Sequence, residues 1–374
     1  MMNTNEMSNK ILMGMAPRNH VALALDEFEG LSSIGFNCKT VAYGSNAGKT
    51  NGIIRLFQVV INAFRLARAL RHFRPEILYL NSRFEPVGSL RDFISIFIVR
   101  MLYHRPLAIA IKSHGSDLRV FDKSLVYRDI IIPYLIKNVN RWFFLSNEEY
   151  LEILGKSKLM AGKVTVTSNI IDPKRSLSSP DFKLLYNISP DKFLYLFVGR
   201  MVREKGIFTI LQSISQLPFK EQCEFIFIGS GNDLEEAKLL AAELEITDVV
   251  KFLGFIPEET CDKFYSIGDA LVYPTCDSEG FAMALFKSVA SGMPVITTQI
   301  RAAKDHLATD KNVLWVVGGS IRDLTDAMSR LFYDTELRAN MRENNKLLGL
   351  NFSQDIVCSQ MKTAFLSSLE SQHA

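Results

Sequence analysis

Short apolar runs alternate along this chain with longer stretches in which apolar residues recur every three or four positions. The runs read as strands covered on both faces, since such strands need no polar alternation. In the first half they fall at 10–15, 39–43, 76–81, 107–112, 141–146 and 163–166. In the second half they fall at 193–198, 224–228, 249–255, 270–273, 294–297 and 313–317. Helical spacing fills the intervals, as at 21–34, 53–74, 93–103, 281–290, 321–333, 337–347 and 352–369. Over 53–74 the apolar positions are Leu56, Val59, Val60, Phe64, Ala67 and Leu70. Two successive series of strand–helix alternation predict an α/β protein with two parallel sheets. The polar stretch 174–190 between them reads as a linker. The expected organisation is therefore 1–173, a linker at 174–190, a second domain at 191–349 and a final helical segment at 350–374.

At 374 residues, 48% hydrophobic and 22% charged, the chain can bury two cores of ordinary size. It has no uncharged apolar run of 18 residues, so no transmembrane helix is expected. Its first ten residues are polar and lack the basic-then-apolar order of a secretory leader. Five scattered cysteines without a Cys-x-x-Cys pair suit a reducing cytoplasm and argue against a disulfide frame or zinc site. The net charge of +3 conceals an asymmetry. Residues 1–175 hold 24 Lys and Arg against 14 Asp and Glu, and residues 176–374 hold 19 against 26. A basic first half predicts an anionic partner. Nucleic acid is not expected, because no nucleic-acid module is present. Arg65, Arg68, Arg71, His72 and Arg74 gather toward the end of the 53–74 helix, where the helix dipole favours cations. A basic, apolar-backed helix also suits peripheral contact with an anionic membrane from the cytoplasmic side.

Two motifs carry candidate chemistry. In the first, Pro274 stops the strand 270–273, Ser278-Glu279-Gly280 forms a loop, and a helix starts near Phe281. A helix that begins just after a strand aims free N–H groups at the sheet's carboxyl edge, where phosphates and sugar hydroxyls bind. An ordinary βαβ unit has the same form. In the second, the strand 193–198 runs into Gly199-Arg200-Met201-Val202-Arg203-Glu204-Lys205-Gly206. Arg200 can grip phosphate oxygens through parallel N–H bonds while Lys205 acts as a point charge. A solvated loop is the plainer alternative, as Arg203 and Glu204 read as surface. No acidic cluster with metal-ligand spacing stands out, so a metal-free neutralisation of a diphosphate is expected.

The Gly199-Arg-x-x-x-x-Lys205-Gly206 loop and the Glu279-Gly-Phe helix with its Ser291-Gly-x-Pro-Val ending resemble the retaining glycosyltransferases of family 4, the glycosyl transferases group 1. The resemblance implies the GT-B architecture: two Rossmann-like domains facing a central cleft, with a last helix crossing back to the first. It implies that Arg200 and Lys205 hold the donor's diphosphate and that Glu279 lies near the donor sugar. Gly199, Gly229, Phe255 and the backbone at Gly280 and Phe281 would complete the donor site, with Phe255 in the loop against the base. On the acceptor side it implies Gly14, Arg18, His114 and Asp117, with His114 near the transferring sugar. Lys287 stands where the family has the second Glu of its E-x7-E motif, which binds the ribose. A carboxylate accepts hydrogen bonds from ribose hydroxyls, whereas an ammonium only donates. Altered donor recognition and a degenerate, non-catalytic glycan- or partner-binding protein are both open at that position. An epimerase or a phosphorylase shares the architecture, but the pyridoxal-binding lysine site of a phosphorylase is not evident.

The expected activity is transfer of a sugar from a UDP- or GDP-linked donor to a glycan or lipid-linked acceptor, with retention and no cofactor, in surface polysaccharide synthesis. His114, Arg200, Lys205 and Glu279 are the residues expected to carry it.

Overall fold

The computed structural model describes residues 9–15, 21–44, 51–177, 179, 181–277 and 279–373. Cα proximity divides the chain into one unit of residues 1–170 with 354–374 and another of 171–353. Strands β1 (Lys10–Met15), β2 (Asn37–Ala42), β3 (Ile77–Phe84), β4 (Ala108–Ser116), β5 (Arg141–Phe144) and β6 (Val164–Val166) form the first sheet. All pair in parallel, in the order β2-β1-β3-β4-β5-β6. Between them run α1 (Val21–Ser33), α2 (Gly52–Phe73), α3 (Pro86–Leu102), α4 (Ile132–Asn138) and α5 (Asn147–Lys156).

Side chains alternate across a strand, so each apolar run feeds two cores. Leu78, Leu80, Ile109 and Ile111 fill one face, while Ile77, Tyr79, Ala108 and Ala110 fill the other. On that second face a terminal helix, Gln354–His373, sets Phe365 edge-on to Tyr79 and Phe143, each at 5.4 Å. Charge enters this core as well. Lys112 is fully buried; its Nζ lies 2.6 Å from Glu27 Oε1 and donates to the Ser168 carbonyl at 2.9 Å. The Tyr79 hydroxyl donates to the other Glu27 oxygen at 2.8 Å.

Helix α2 buries Val59, Ala63, Leu66, Ala67 and Leu70. Leu56 and Phe64, two positions of the expected apolar stripe, are instead exposed together with Ile53, Ile54 and Phe57. No helix among the described residues is long and apolar enough to cross a membrane.

The second sheet comprises β7 (Phe193–Val198), β8 (Cys223–Ile228), β9 (Val250–Gly254), β10 (Ala270–Tyr273), β11 (Val295–Thr297) and β12 (Val313–Trp315). It is also parallel, in the order β12-β11-β10-β7-β8-β9. Its helices are α6 (Phe182–Leu185), α7 (Ile207–Gln216), α8 (Leu234–Glu243), α9 (Glu258–Ile267), α10 (Met283–Ala290), α11 (Arg301–His306), α12 (Ile321–Tyr333) and α13 (Thr335–Gly349); the terminal helix of the first unit is α14.

Three expectations shift. The stretch 174–190 lies within the second unit, because Phe182 is buried and the rings of Phe182 and Tyr186 pack on Phe264 at 4.9 and 4.8 Å. Residues 350–353 lie there too, as buried Phe352 packs on Phe281 and Phe286. The strand expected at 107–112 continues to Ser116, since pairing with β3 runs on through Ser82↔Ser113 and Phe84↔Ser116.

His306 closes this aromatic cluster, 5.6 Å from the Phe286 ring and 5.1 Å from Phe352. Burial pulls its pKa below the ordinary 6.5. As pH falls through that ordinary value, the unfolded chain gains a proton that the folded chain does not. Stability should therefore drop by up to about 1.4 kcal/mol per pH unit until the folded pKa is reached. A His306→Phe variant should show a flatter dependence between pH 7 and 5 in urea unfolding.

Candidate active site

The site begins with two glycine turns at the carboxyl edge of the second sheet. The Gly199 N–H donates to the Ile228 carbonyl at 3.0 Å, and Met201 donates to Ser230 at 3.0 Å. Gly229 has φ 137°, and a Cβ there would sit 1.9 Å from the Gly199 carbonyl oxygen. Only glycine lets these turns touch. On the other flank the Cys276 N–H donates to the Glu204 carbonyl at 2.8 Å. The exits of β7, β8 and β10 are thus tied together by backbone.

That stitching gathers charge. Lys205, 2% exposed, pairs through Nζ with Asp277 Oδ2 at 3.1 Å and with Glu279 Oε1. The Tyr273 hydroxyl donates to Glu279 Oε2 at 2.9 Å. Burial first, then the Glu279 charge, pushes the Tyr273 pKa well above its usual value, so it remains a donor. Arg200 is largely exposed and reaches Asp277 Oδ2 at 3.3 Å. Two cations and two carboxylates thus share one loop pair. An incoming diphosphate can take the place of Asp277 on Arg200 and Lys205, while Tyr273 holds Glu279. Asp277 was not among the expected site residues; its signal was an acid two positions before Glu279 in the same loop.

Helix α10 starts at Met283, two residues later than expected, and no side chain caps its first turn. Gly280 lies just before it. The Phe281 ring is buried and stacks on Phe286 at 3.9 Å, which leaves its backbone as the part able to meet a ligand. Phe255 is exposed just beyond β9. The Lys287 ammonium faces α9, with Glu258 Oε1 and Asp262 Oδ1 each at 2.7 Å. Burial alone would lower its pKa, but the bonds to Asp262 and Glu258 outweigh it and the net direction is up.

In the first unit, His114 lies near the end of β4 with Nε2 2.7 Å from Asn81 Oδ1. Buried Asn81, on neighbouring β3, was not anticipated. A Cβ on Gly14 would lie 2.6 Å from Leu80 Cδ2 and 3.2 Å from Tyr43 Cβ. Close packing thus accounts for that glycine within the strand. Asp117 caps the turn Leu118–Phe121 and accepts from the Arg119 guanidinium at 2.7–3.0 Å. Those bonds hold its carboxyl below the usual range. With Arg119, Lys123 and Lys156 it lines a cavity of about 670 Å³. Arg18 lies outside the described residues.

Residues 182–348 match the family "Glycosyl transferases group 1". A D-inositol 3-phosphate glycosyltransferase of Corynebacterium jeikeium is 33% identical over 155 residues, covering 39% of this chain and 37% of that protein. The amylovoran biosynthesis glycosyltransferase AmsK of Erwinia amylovora is 28% identical over 222 residues, covering 54% and 53%. The chain thus spans about half or less of the length of these curated relatives. Among solved structures, Anabaena HepE in complex with UDP and glucose superposes with a TM-score of 0.74 at 15% identity, covering 96% of this chain and all of that one. That likeness concerns the fold. Residues 182–348 are thus similar to the glycosyl transferases group 1, and the chain has the GT-B fold.

Proposed function

We propose that this protein is a retaining glycosyltransferase that moves a sugar from a nucleotide-sugar donor to a hydroxyl of a glycan or lipid-linked acceptor, in the synthesis of a surface polysaccharide. The observation that carries the reading is the Arg200–Lys205–Asp277–Glu279 cluster beside the uncapped start of α10. Negative charge grows on the departing diphosphate as the glycosidic bond breaks, and prearranged cations stabilise that charge more than the ground state. Arg200 and Lys205 supply them without a metal ion. Glu279, fixed by Tyr273 and Lys205, lies beside the donor sugar, and the acceptor hydroxyl attacks the face that the diphosphate leaves. His114, oriented by Asn81, serves on the acceptor side. The similarity to an amylovoran biosynthesis glycosyltransferase supports the polymer context, and the UDP and glucose in the HepE complex support the donor class.

The exposed Ile53, Ile54, Leu56, Phe57 and Phe64 of α2, with Arg55, Arg65 and Arg68 on the same helix, support contact with an anionic membrane surface. One experiment addresses both parts: UDP- and GDP-sugars are incubated with the protein and polyprenyl-phosphate-linked saccharides in phosphatidylglycerol vesicles. The expected result is nucleoside diphosphate release matched by an elongated saccharide with the donor's anomeric configuration, from protein that sediments with the vesicles. Inverted product would refute retention, release without elongation would refute transfer, and active protein left in the supernatant would refute the membrane contact.

A further inference from the structure

We propose that the donor's ribose is recognised by Glu258 and that Lys287 holds that carboxylate in place; the inference rests on the nucleotide-sugar reading above. Vicinal ribose hydroxyls are donors, and a carboxylate can accept from both. Lys287 is poorly suited to meet them. Its side chain is 13% exposed, and two of its three N–H groups are engaged by Glu258 Oε1 and Asp262 Oδ1 at 2.7 Å each. Asp262 is buried, so it anchors the pair from within. Glu258 differs: its side chain is 61% exposed, and Oε2 has no partner among the described residues.

Its place in the fold fits the role. Glu258 opens α9 directly beyond β9. At the end of β9 the Gly254 carbonyl accepts from Gly229 N–H at 2.8 Å, and Gly229 touches Gly199 at the start of the Arg200 loop. The carboxylate therefore shares a sheet edge with the diphosphate cluster. Lys287 lies four residues past the start of α10, about 6 Å along its axis. Exposed Phe255 lies three residues before Glu258, at the exit of β9. Cations and helix amides, then a carboxylate, then an exposed ring make the order diphosphate, ribose, base. Without the ammonium, Glu258 and Asp262 would repel one another as like charges one helical turn apart. Lys287 is thus a positioning residue, and the charge reversal at 287 moves the ribose acceptor to a neighbouring helix.

The test is calorimetric titration of the full chain with UDP, GDP and ADP and with their 2′-deoxy counterparts. The wild type should prefer the ribose form of the diphosphate it binds by about tenfold, the scale of a hydrogen bond to a charged group. Glu258→Ala should reduce the preference below about threefold with an unchanged Tm, because Glu258 lies at an exposed helix start. Lys287→Met should reduce it too, while Lys287→Arg, which keeps the bridge, should retain it. A wild type with no ribose preference, or a preference that survives Glu258→Ala, overturns the assignment and leaves the donor reading standing. A wild type that binds none of the three diphosphates overturns both.

Discussion

Replacing Lys112 with methionine is expected to destabilise the first unit by about 3–5 kcal/mol, because it strands the Glu27 carboxylate in a core that excludes water. Lys112 is fully buried and Glu27 nearly so, and the pair joins β4 to α1 across 85 positions of sequence. The mutation removes the ammonium and its bond to the Ser168 carbonyl, leaving, among the described residues, the Tyr79 hydroxyl on Glu27. The double variant Glu27→Leu/Lys112→Met should recover part of the loss, since both charges then avoid desolvation together. Its residual cost is the Tyr79 hydroxyl without an acceptor, about 1–3 kcal/mol, together with the Ser168 carbonyl without its ammonium donor. Equilibrium urea unfolding measures all three proteins. A single variant within about 1 kcal/mol of wild type would contradict the buried-pair account.

Lys205→Met is expected to lower nucleoside diphosphate affinity by about 100-fold or more, and sugar transfer with it. Unlike largely exposed Arg200, this lysine is almost fully buried, and it is the common partner of Asp277 and Glu279. Asp277→Asn should act in the opposite direction. It frees Arg200 from its internal carboxylate, so the diphosphate should bind several-fold more tightly, on the order of 1 kcal/mol. Opposite signs at two residues 3.1 Å apart distinguish a ligand site from a structural ion pair, in which both changes would only loosen the loops. Calorimetry with the same diphosphate, on variants with wild-type circular dichroism, decides between them. Lys205→Met binding within threefold of wild type would reject the phosphate assignment.

The strands of both sheets and the glycine turns of the second were legible because they depend on local pattern. Apolar runs mark buried parallel strands, and a Gly-bounded basic loop before a helix marks a place where backbone and anion can approach. What was not legible depends on partners distant in sequence. Lys112 reads as the polar end of a strand until β4 is paired with β3 and α1 brings Glu27 against it. Lys287 reads as a lost carboxylate until α9 supplies two. Gly14 reads as an acceptor-side residue through the family resemblance, and in the fold a Cβ at that position would meet Leu80 and Tyr43. A glycine required for strand packing and one required for ligand approach are identical in sequence. The 174–190 stretch is polar enough to suggest a linker, but Phe182 and Tyr186 within it find the Phe264 ring.

The most direct measurement is titration of the wild-type chain with UDP, GDP and ADP, following the unfolding temperature and the heat of binding. The account predicts that one of them binds with a stoichiometry of about one. At 100 times its Kd that ligand should add about 2.7 kcal/mol of stability. Folded protein that responds to none of the three would contradict the claim that the Arg200–Lys205 cluster is a nucleotide-diphosphate site.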